Sequence, residues 1–163
     1  AQLLGNGAIL NKALLAADIL EKKYRVAADV WSVTSYKELH QDALQTEREN
    51  LFNPGKKAKE SYLQQATKDA KGVFVAASDY VKALPESIGK WLPGPLFSLG
   101  TDGFGQSDGR RHLRDYFEVD ERYIVLATLY SLMKEGQVKP EMVKKALKDM
   151  DIDPEKANPM SLE

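Results

Sequence analysis

Cysteine is absent from the 163-residue chain. That absence excludes disulfides, thiolate nucleophiles and cysteine-based zinc sites, and it is compatible with a reducing compartment. Histidine is scarce: His40 and His112 are the only two. Each falls among polar neighbours on a predicted helix, without a second ligand at helical spacing, so both read as surface residues and no metal site is expected. No apolar run approaches the roughly 20 residues that a helix needs to cross a bilayer. Neither sign of charge dominates; the formal net charge is −1, which gives no general pull toward nucleic acid or an anionic membrane. Lys56, Lys57 and Lys59 form a small basic cluster, but no aromatic residue is interleaved with it and acidic residues elsewhere offset it, so nucleic acid is not an expected partner. No lysine follows a glycine cluster in the manner of a P-loop, and there is neither an internal repeat nor a low-complexity segment.

What is present is an ordinary globular balance, with 43% hydrophobic and 29% charged residues, enough for one domain over 1–163 with a proper core. The chain has no initiator Met and opens directly on Gln2-Leu3-Leu4, a strand already under way with no basic segment before it. The expectation is an excised fragment of a longer multidomain protein, with Leu162-Glu163 left open between native residues and a cloning scar.

Strand and helix patterns then alternate. A strand over Gln2–Leu4 and a Gly5-Asn6-Gly7 turn lead to a helix from Ala8 to Tyr24, its apolar face formed by Leu10, Ala13, Leu14, Ala17, Leu20 and Tyr24. Ala28–Val33 is a β-branched and aromatic strand. Ser35-x-x-Glu38 has the form of a capping box opening a helix to about Asn50. A short helix follows over Glu60–Lys68, then a buried strand over Val73–Ala77. Ser78-Asp79 is expected to start a helix that runs irregularly past Pro85 to about Trp91. Pro93-Gly94-Pro95 breaks the chain before a strand over Leu96–Leu99. Asp120 caps a helix over Glu121–Glu135 that is apolar around most of its circumference, Gly136 ends it, and Pro140 opens a last amphipathic helix. The pattern predicts a three-layer α/β/α fold on a mostly parallel sheet of four or five strands, with two extra C-terminal helices as an appendage.

The most distinctive stretch is Gly100-Thr101-Asp102-Gly103-Phe104-Gly105-Gln106-Ser107-Asp108-Gly109-Arg110-Arg111, between the fourth strand and a helix ending near Phe117. Its glycines permit positive φ and close backbone approach. Asp102 and Ser107 carry short oxygens for local amides, and Ser107 or Asp108 is placed to cap the helix.

Several chemistries can be written onto these residues. Gly5-x-Gly7 after a strand invites a dinucleotide-binding reading, but Leu10 stands where the third glycine belongs and Asp29 opens the second strand rather than ending it; a simple tight turn is the better reading. A triad of Ser107, His112 and Asp102 lacks the nucleophile-elbow context. Arg110, Arg111 and Arg114 could grip a phosphate, making the 100–111 loop an independent anion- or nucleotide-binding module. Pairing with Asp108, Asp115 or Glu118, or with another domain, is favoured because the carboxylates lie so near in sequence. No self-sufficient catalytic, cofactor or metal site emerges.

The 100–111 loop closely resembles the Gly-Thr-Asp-Gly-Phe-Gly-x-Ser-Asp-x-Arg signature near the C-terminus of homodimeric bacterial pyruvate dehydrogenases, and its core, Asp102-x-Phe104-Gly105-x-Ser107, is similar to the equivalent loop of transketolases. Further landmarks recur in order: Gln2–Leu10, Asp29–Leu39, Glu47-Arg48-x-Asn50, Ser78-Asp79-Tyr80, Phe117-Glu118-Val119-Asp120 and Asn158-Pro159. Gln106 and Glu49 depart from the family's usual Arg and Trp. The resemblance implies the C-terminal domain of a cytoplasmic, homodimeric oxidoreductase of the transketolase superfamily that links glycolysis to acetyl-CoA. It implies thiamine diphosphate and Mg²⁺ bound outside this chain, and transfer of the acetyl group to the lipoyl group of an acyltransferase component in a multienzyme complex. For this chain it implies a structural role without catalytic residues. Asp102, Phe104, Gly105, Ser107 and Arg110 are then the candidates for holding neighbouring domains and the dimer partner.

Overall fold

The computed structural model describes residues 1–161, so Leu162-Glu163 lie outside the described residues. Four strands, β1 (Gln2–Gly5), β2 (Asp29–Ser32), β3 (Phe74–Ala77) and β4 (Leu96–Leu99), form one sheet in the order β2-β1-β3-β4. Every pairing is parallel, with Leu3 in register with Val30 and Val75, and Val75 with Phe97. The inner strands β1 and β3 are buried along their whole length, whereas β2 and β4 alternate or lie half-exposed at the edges. This explains why Val73–Ala77 reads as a continuous apolar run: both of its faces are covered.

Alternate side chains feed two cores. Leu3, Val75, Ala77 and Leu99 point to one, Leu4, Phe74 and Ala76 to the other. The first is covered by α1 (Leu10–Ile19), which continues into a π-helical turn over Leu20–Tyr24, together with α6 and α7 described below. The second is covered by α2 (Tyr36–Phe52), α3 (Tyr62–Thr67) and α4 (Ala83–Glu86), joined by Ile88 and Trp91. The three-layer α/β/α arrangement is the expected one.

Local chemistry accounts for most boundaries. Ser35 accepts the Glu38 amide at the start of α2 (3.2 Å). Ser61 and Gln64 form a reciprocal capping box at α3, which fixes where that helix begins. A short helix, α5 (Arg110–Tyr116), precedes α6 (Glu121–Lys134). The Asp120 carboxylate accepts the amides of Arg122 and Tyr123 at the start of α6. Gly136, at φ 69°, turns the chain out of α6, with the Gly136 and Gln137 amides donating back to Met133 and Leu132. Pro140 occupies the first turn of α7 (Pro140–Asp149).

Three expectations are corrected. The buried face of α1 is made by Ala13 and Ala16, while Leu14 is 51% exposed; small residues let α6 approach α1 closely, and close approach outweighs side-chain size here. Ser78-Asp79 starts no helix: the Ser78 hydroxyl accepts the Tyr80 amide (2.9 Å) in a local turn, and α4 begins only at Ala83. Finally, α6 is no appendage. Ile124, Val125 and Leu129 are fully buried, and the helix packs on α1, β3 and β4. Without it the β3 and β4 part of this face, Val75 and Leu99, would stand open to water, since α1 lies over β1 and β2. The outer position belongs to α7, which rests on α6 through Ala146 and Met150.

Candidate functional site at the carboxyl edge of the sheet

In this strand order the chain leaves β1 toward β2 and leaves β3 toward β4. The connections therefore diverge between β1 and β3, and the crevice beyond their carboxyl ends is where open α/β sheets place ligands. A cavity of about 650 Å³ lies there, lined among others by Ala8, Asp79, Thr101, Arg110, Arg114 and Phe117. The β4–α5 loop, residues 100–109, forms one wall.

This loop is anchored at its beginning and open beyond. A side chain at Gly100 would collide with the Tyr80 carbonyl oxygen. The Thr101 amide donates to that same carbonyl (2.9 Å), and the Thr101 hydroxyl donates to the Asp79 carbonyl (2.6 Å). Asp102 accepts the Lys82 amide (2.9 Å) and lies 3.3 Å from the Lys82 ammonium. Gly103 adopts φ 82° and turns the chain outward. From Gly103 to His112 every residue is exposed, and Phe104 at the tip is 83% exposed. Gly105 and Gly109 have neither positive φ nor a close neighbour, so only two of the four glycines do what the sequence reading asked of them.

The helix cap is corrected as well. Gly109 is the residue before α5, and no side chain caps the helix. Asp108 instead accepts the Gly109 amide (2.5 Å) and pairs with His112 (3.2 Å). The amide first, and His112 second, hold the Asp108 carboxyl below the usual aspartate range. The conceivable triad is not assembled, since His112 faces Asp108 and Asp102 faces Lys82. Nor do the arginines take their sequence neighbours. Asp115 belongs to Arg122, which also makes two bonds to Asp120 (3.0 and 2.7 Å). These bonds, led by Asp120, push the Arg122 guanidinium further above its ordinary value. Glu118 lies 3.9 Å from Lys156, Arg114 turns toward Asp79, and Arg110 and Arg111 have no ion pair among the described residues. The Asp115–Asp120–Arg122 group was missed from sequence because its spacing matches no helical pair: the carboxylates lie on two sides of a chain reversal.

Elsewhere the landmarks take structural work. Glu47 accepts from the Trp91 indole (2.9 Å) and the Lys90 ammonium (2.8 Å), and the Lys90 bond leads in holding its carboxyl below the usual range. Asn50 clamps the Lys59 backbone on both sides (2.9 and 2.8 Å). Glu49 pairs with Lys59 at 2.9 Å, which gives that departure a local role, while Gln106 lines the cavity. His40 is half-buried with its ring 5.6 Å from that of Trp91, not on a solvated face as expected.

Gly5-x-Gly7 is a tight turn. A Cβ on Gly5 would lie 2.7 Å from the Leu10 Cα, and the Asn6 side chain donates to the Val33 carbonyl (2.6 Å), closing the end of β1 where a dinucleotide phosphate would have to approach. Asp29 opens β2 and accepts from Gln2 (3.0 Å). Among the described residues no three carboxylates or imidazoles converge on one point, and Asp102 and Asp108 are committed to protein partners.

Residues 1–120 match the family model described as the transketolase-like TK C-terminal domain. The chain is 44% identical over 160 residues to the pyruvate dehydrogenase E1 component of Pseudomonas aeruginosa, covering 98% of this chain and 18% of that protein. It is 43% identical over 159 residues to that of Escherichia coli (97% and 18%), and 42% identical over 159 residues to that of Mycobacterium tuberculosis (98% and 17%). It thus spans less than a fifth of the length of these relatives. Among solved structures, one described as a split gene transketolase, inactive beta4 tetramer, matches with a TM-score of 0.55 over 81% of this chain and 39% of that one; at 20% identity it speaks for the fold alone. The family match ends at the residue that caps α6, so the sheet and five of its helices fall inside it while the helix that completes the first core falls outside. On the family match and the parallel four-stranded sheet together, the chain belongs to the transketolase-like C-terminal domain family.

Proposed function

We propose that this chain is the C-terminal assembly domain of a longer, homodimeric pyruvate dehydrogenase, and that it has no catalytic activity of its own. One observation carries the reading. The loop that bears the family signature is pinned at Gly100–Asp102 yet presents its middle outward, with Phe104 exposed at the tip. A rigid base under an exposed aromatic suits a surface made to be covered by protein. Asp102 holds the base, Gly105 and Ser107 lie in the projecting part, and Phe104 and Arg110 offer an apolar and a charged contact to neighbouring domains or the dimer partner.

The similarity to pyruvate dehydrogenase E1 components over nearly the whole chain supports the choice of parent. That parent is a cytoplasmic enzyme which oxidatively decarboxylates pyruvate and passes the acetyl group to the lipoyl group of an acyltransferase component. Its thiamine diphosphate and Mg²⁺ lie outside this chain. The decisive experiment is sedimentation of the full-length protein carrying Phe104→Ser and Arg110→Ala, beside thermal unfolding of the same changes in the 163-residue chain. A weakened dimer with an unchanged unfolding midpoint of the short chain supports assembly. Unchanged dimerisation and activity would overturn it, as would pyruvate decarboxylation by the short chain supplied with thiamine diphosphate and Mg²⁺.

A further inference from the structure

We propose that the cavity beyond β1 and β3 is a receptor for a small oxyanion, a carboxylate or phosphate group, and that Arg114 is the side chain that recognises it. The inference does not depend on the assembly reading; it rests on a buried arginine whose Nε has no hydrogen bond among the described residues and whose one ion pair, to Asp79, is long.

The Arg114 side chain is only 12% exposed. Its Nε is fully buried and has no hydrogen-bond partner among the described residues. The nearest carboxylate, Asp79, lies 4.0 Å from Nη2, beyond hydrogen-bond range. A guanidinium carries five donors in a fixed plane and cannot shed its charge. Lysine or histidine can escape burial by deprotonation; arginine must be neutralised by a partner. Arg122 shows how this protein treats a partly buried guanidinium, with bonds to both Asp115 and Asp120. Arg114 lacks any equivalent.

The acidic groups nearby do not fill that role. Asp108 is committed to the Gly109 amide and His112, and Asp102 to Lys82. Asp79 is half-exposed and too distant. Arg110 lines the same cavity with no ion pair among the described residues, so a second cation stands ready at the wall. The cavity occupies the switch point of the sheet, and its volume of about 650 Å³ is ample for a carboxylate- or phosphate-sized group. The planar fork of an arginine matches two oxygens of such a group. The oxyanion could belong to a free metabolite or to an acidic side chain from another domain of the parent protein, and the test separates the two.

The test follows the arginine Nε–H resonances of the 163-residue chain by ¹⁵N-edited NMR during titration with inorganic phosphate at constant ionic strength. Arg114→Lys assigns the Arg114 signal. The expected result is a saturable shift of that signal with a dissociation constant in the low-millimolar range or tighter, ~1–5 mM. Asp79→Asn removes the nearest competing carboxylate and should tighten binding roughly three- to ten-fold. Arg114→Lys, with near-UV circular dichroism unchanged and binding followed on the Nε–H signal of Arg110 in the same cavity, should weaken it at least about ten-fold by removing the fork. The same titration of the full-length protein then identifies the source: a retained response means a free ligand, and a response confined to the short chain means that a protein carboxylate fills the receptor. No saturable shift of Arg114 in either the wild-type chain or Asp79→Asn overturns the proposal. So does equal binding by a folded Arg114→Lys chain, which would mark an adventitious ion only. Should Arg114→Lys fail to fold, the Asp79→Asn titration decides alone.

Discussion

Two glycine-bearing turns leave the carboxyl edge of the same sheet, and they are built to opposite ends. The β1 turn, Gly5-Asn6-Gly7, is closed. Leu10 packs onto the Gly5 Cα and Asn6 bridges to the end of β2, so the turn serves only to start α1 beside its strand. The β4 loop is closed for three residues and open for the next several. Gly100 is seated under the Tyr80 carbonyl and Asp102 holds the Lys82 amide, but Phe104 projects into solvent. Glycine in one place permits contact within the domain; in the other it permits a rigid base with a projecting surface. A glycine-rich loop after a parallel strand is therefore not one kind of object. What distinguishes the two is whether neighbouring backbone already fills the space beside them.

The largest effect that would sharpen this contrast is expected at the base of the β4 loop. Gly100→Ala puts a methyl into the Tyr80 carbonyl, and neither backbone can yield cheaply. We expect a loss of about 3 kcal/mol in chemical denaturation, and a midpoint within measurement error of wild type would show that the base is not seated. Gly5→Ala comes next. Its methyl meets the Leu10 backbone at 2.7 Å, but the first turn beyond it is 3₁₀ and can shift slightly; a loss of about 2 kcal/mol is expected by the same measurement. Asp102→Ala removes one amide bond and a half-exposed ion pair, worth about 1–2 kcal/mol together. A loss as large as that of Gly100→Ala would mean that the loop hangs on this carboxylate rather than on the glycine.

The open part should respond weakly. Asp108, whose carboxyl is held below its ordinary value of 3.8, stabilises the loop only while ionised. A depressed folded value means that the contribution is complete above the ordinary range and disappears as pH falls through the lower, folded value. Amide exchange at Gly109, corrected for its intrinsic pH dependence, should therefore accelerate only in that acid range, and acceleration beginning near neutrality would contradict the assignment. Smallest of all, Phe104→Ser should leave the stability of the short chain within about 0.5 kcal/mol. A larger loss would show that the tip packs within the domain, and the contrast between the two turns would fail.

Much of this was legible in the chain. Parallel strands at the sheet centre announce themselves as uninterrupted apolar runs, as at Val73–Ala77. Asp120, Gly136 and Pro140 mark helix ends by chemistry local to the backbone. The corrections came where a residue's role depends on something distant in sequence. Leu14 fits the helical stripe, yet α6 selected Ala13 and Ala16 as the face it approaches. Asp115 sits one turn from Arg111, yet Arg122 reaches it across the chain reversal.

By itself the sequence determined most of the elements, the parallel character of the sheet and the family, because periodicity, caps and a dense signature are properties of neighbouring residues. Only the tertiary structure decided that α6 is part of the core, that one glycine turn is closed while the other is half open, and that Arg114 lies buried without a hydrogen bond. Each of these depends on which atoms from remote segments occupy the space beside a residue, and that occupancy is set by packing rather than by any short stretch of chain.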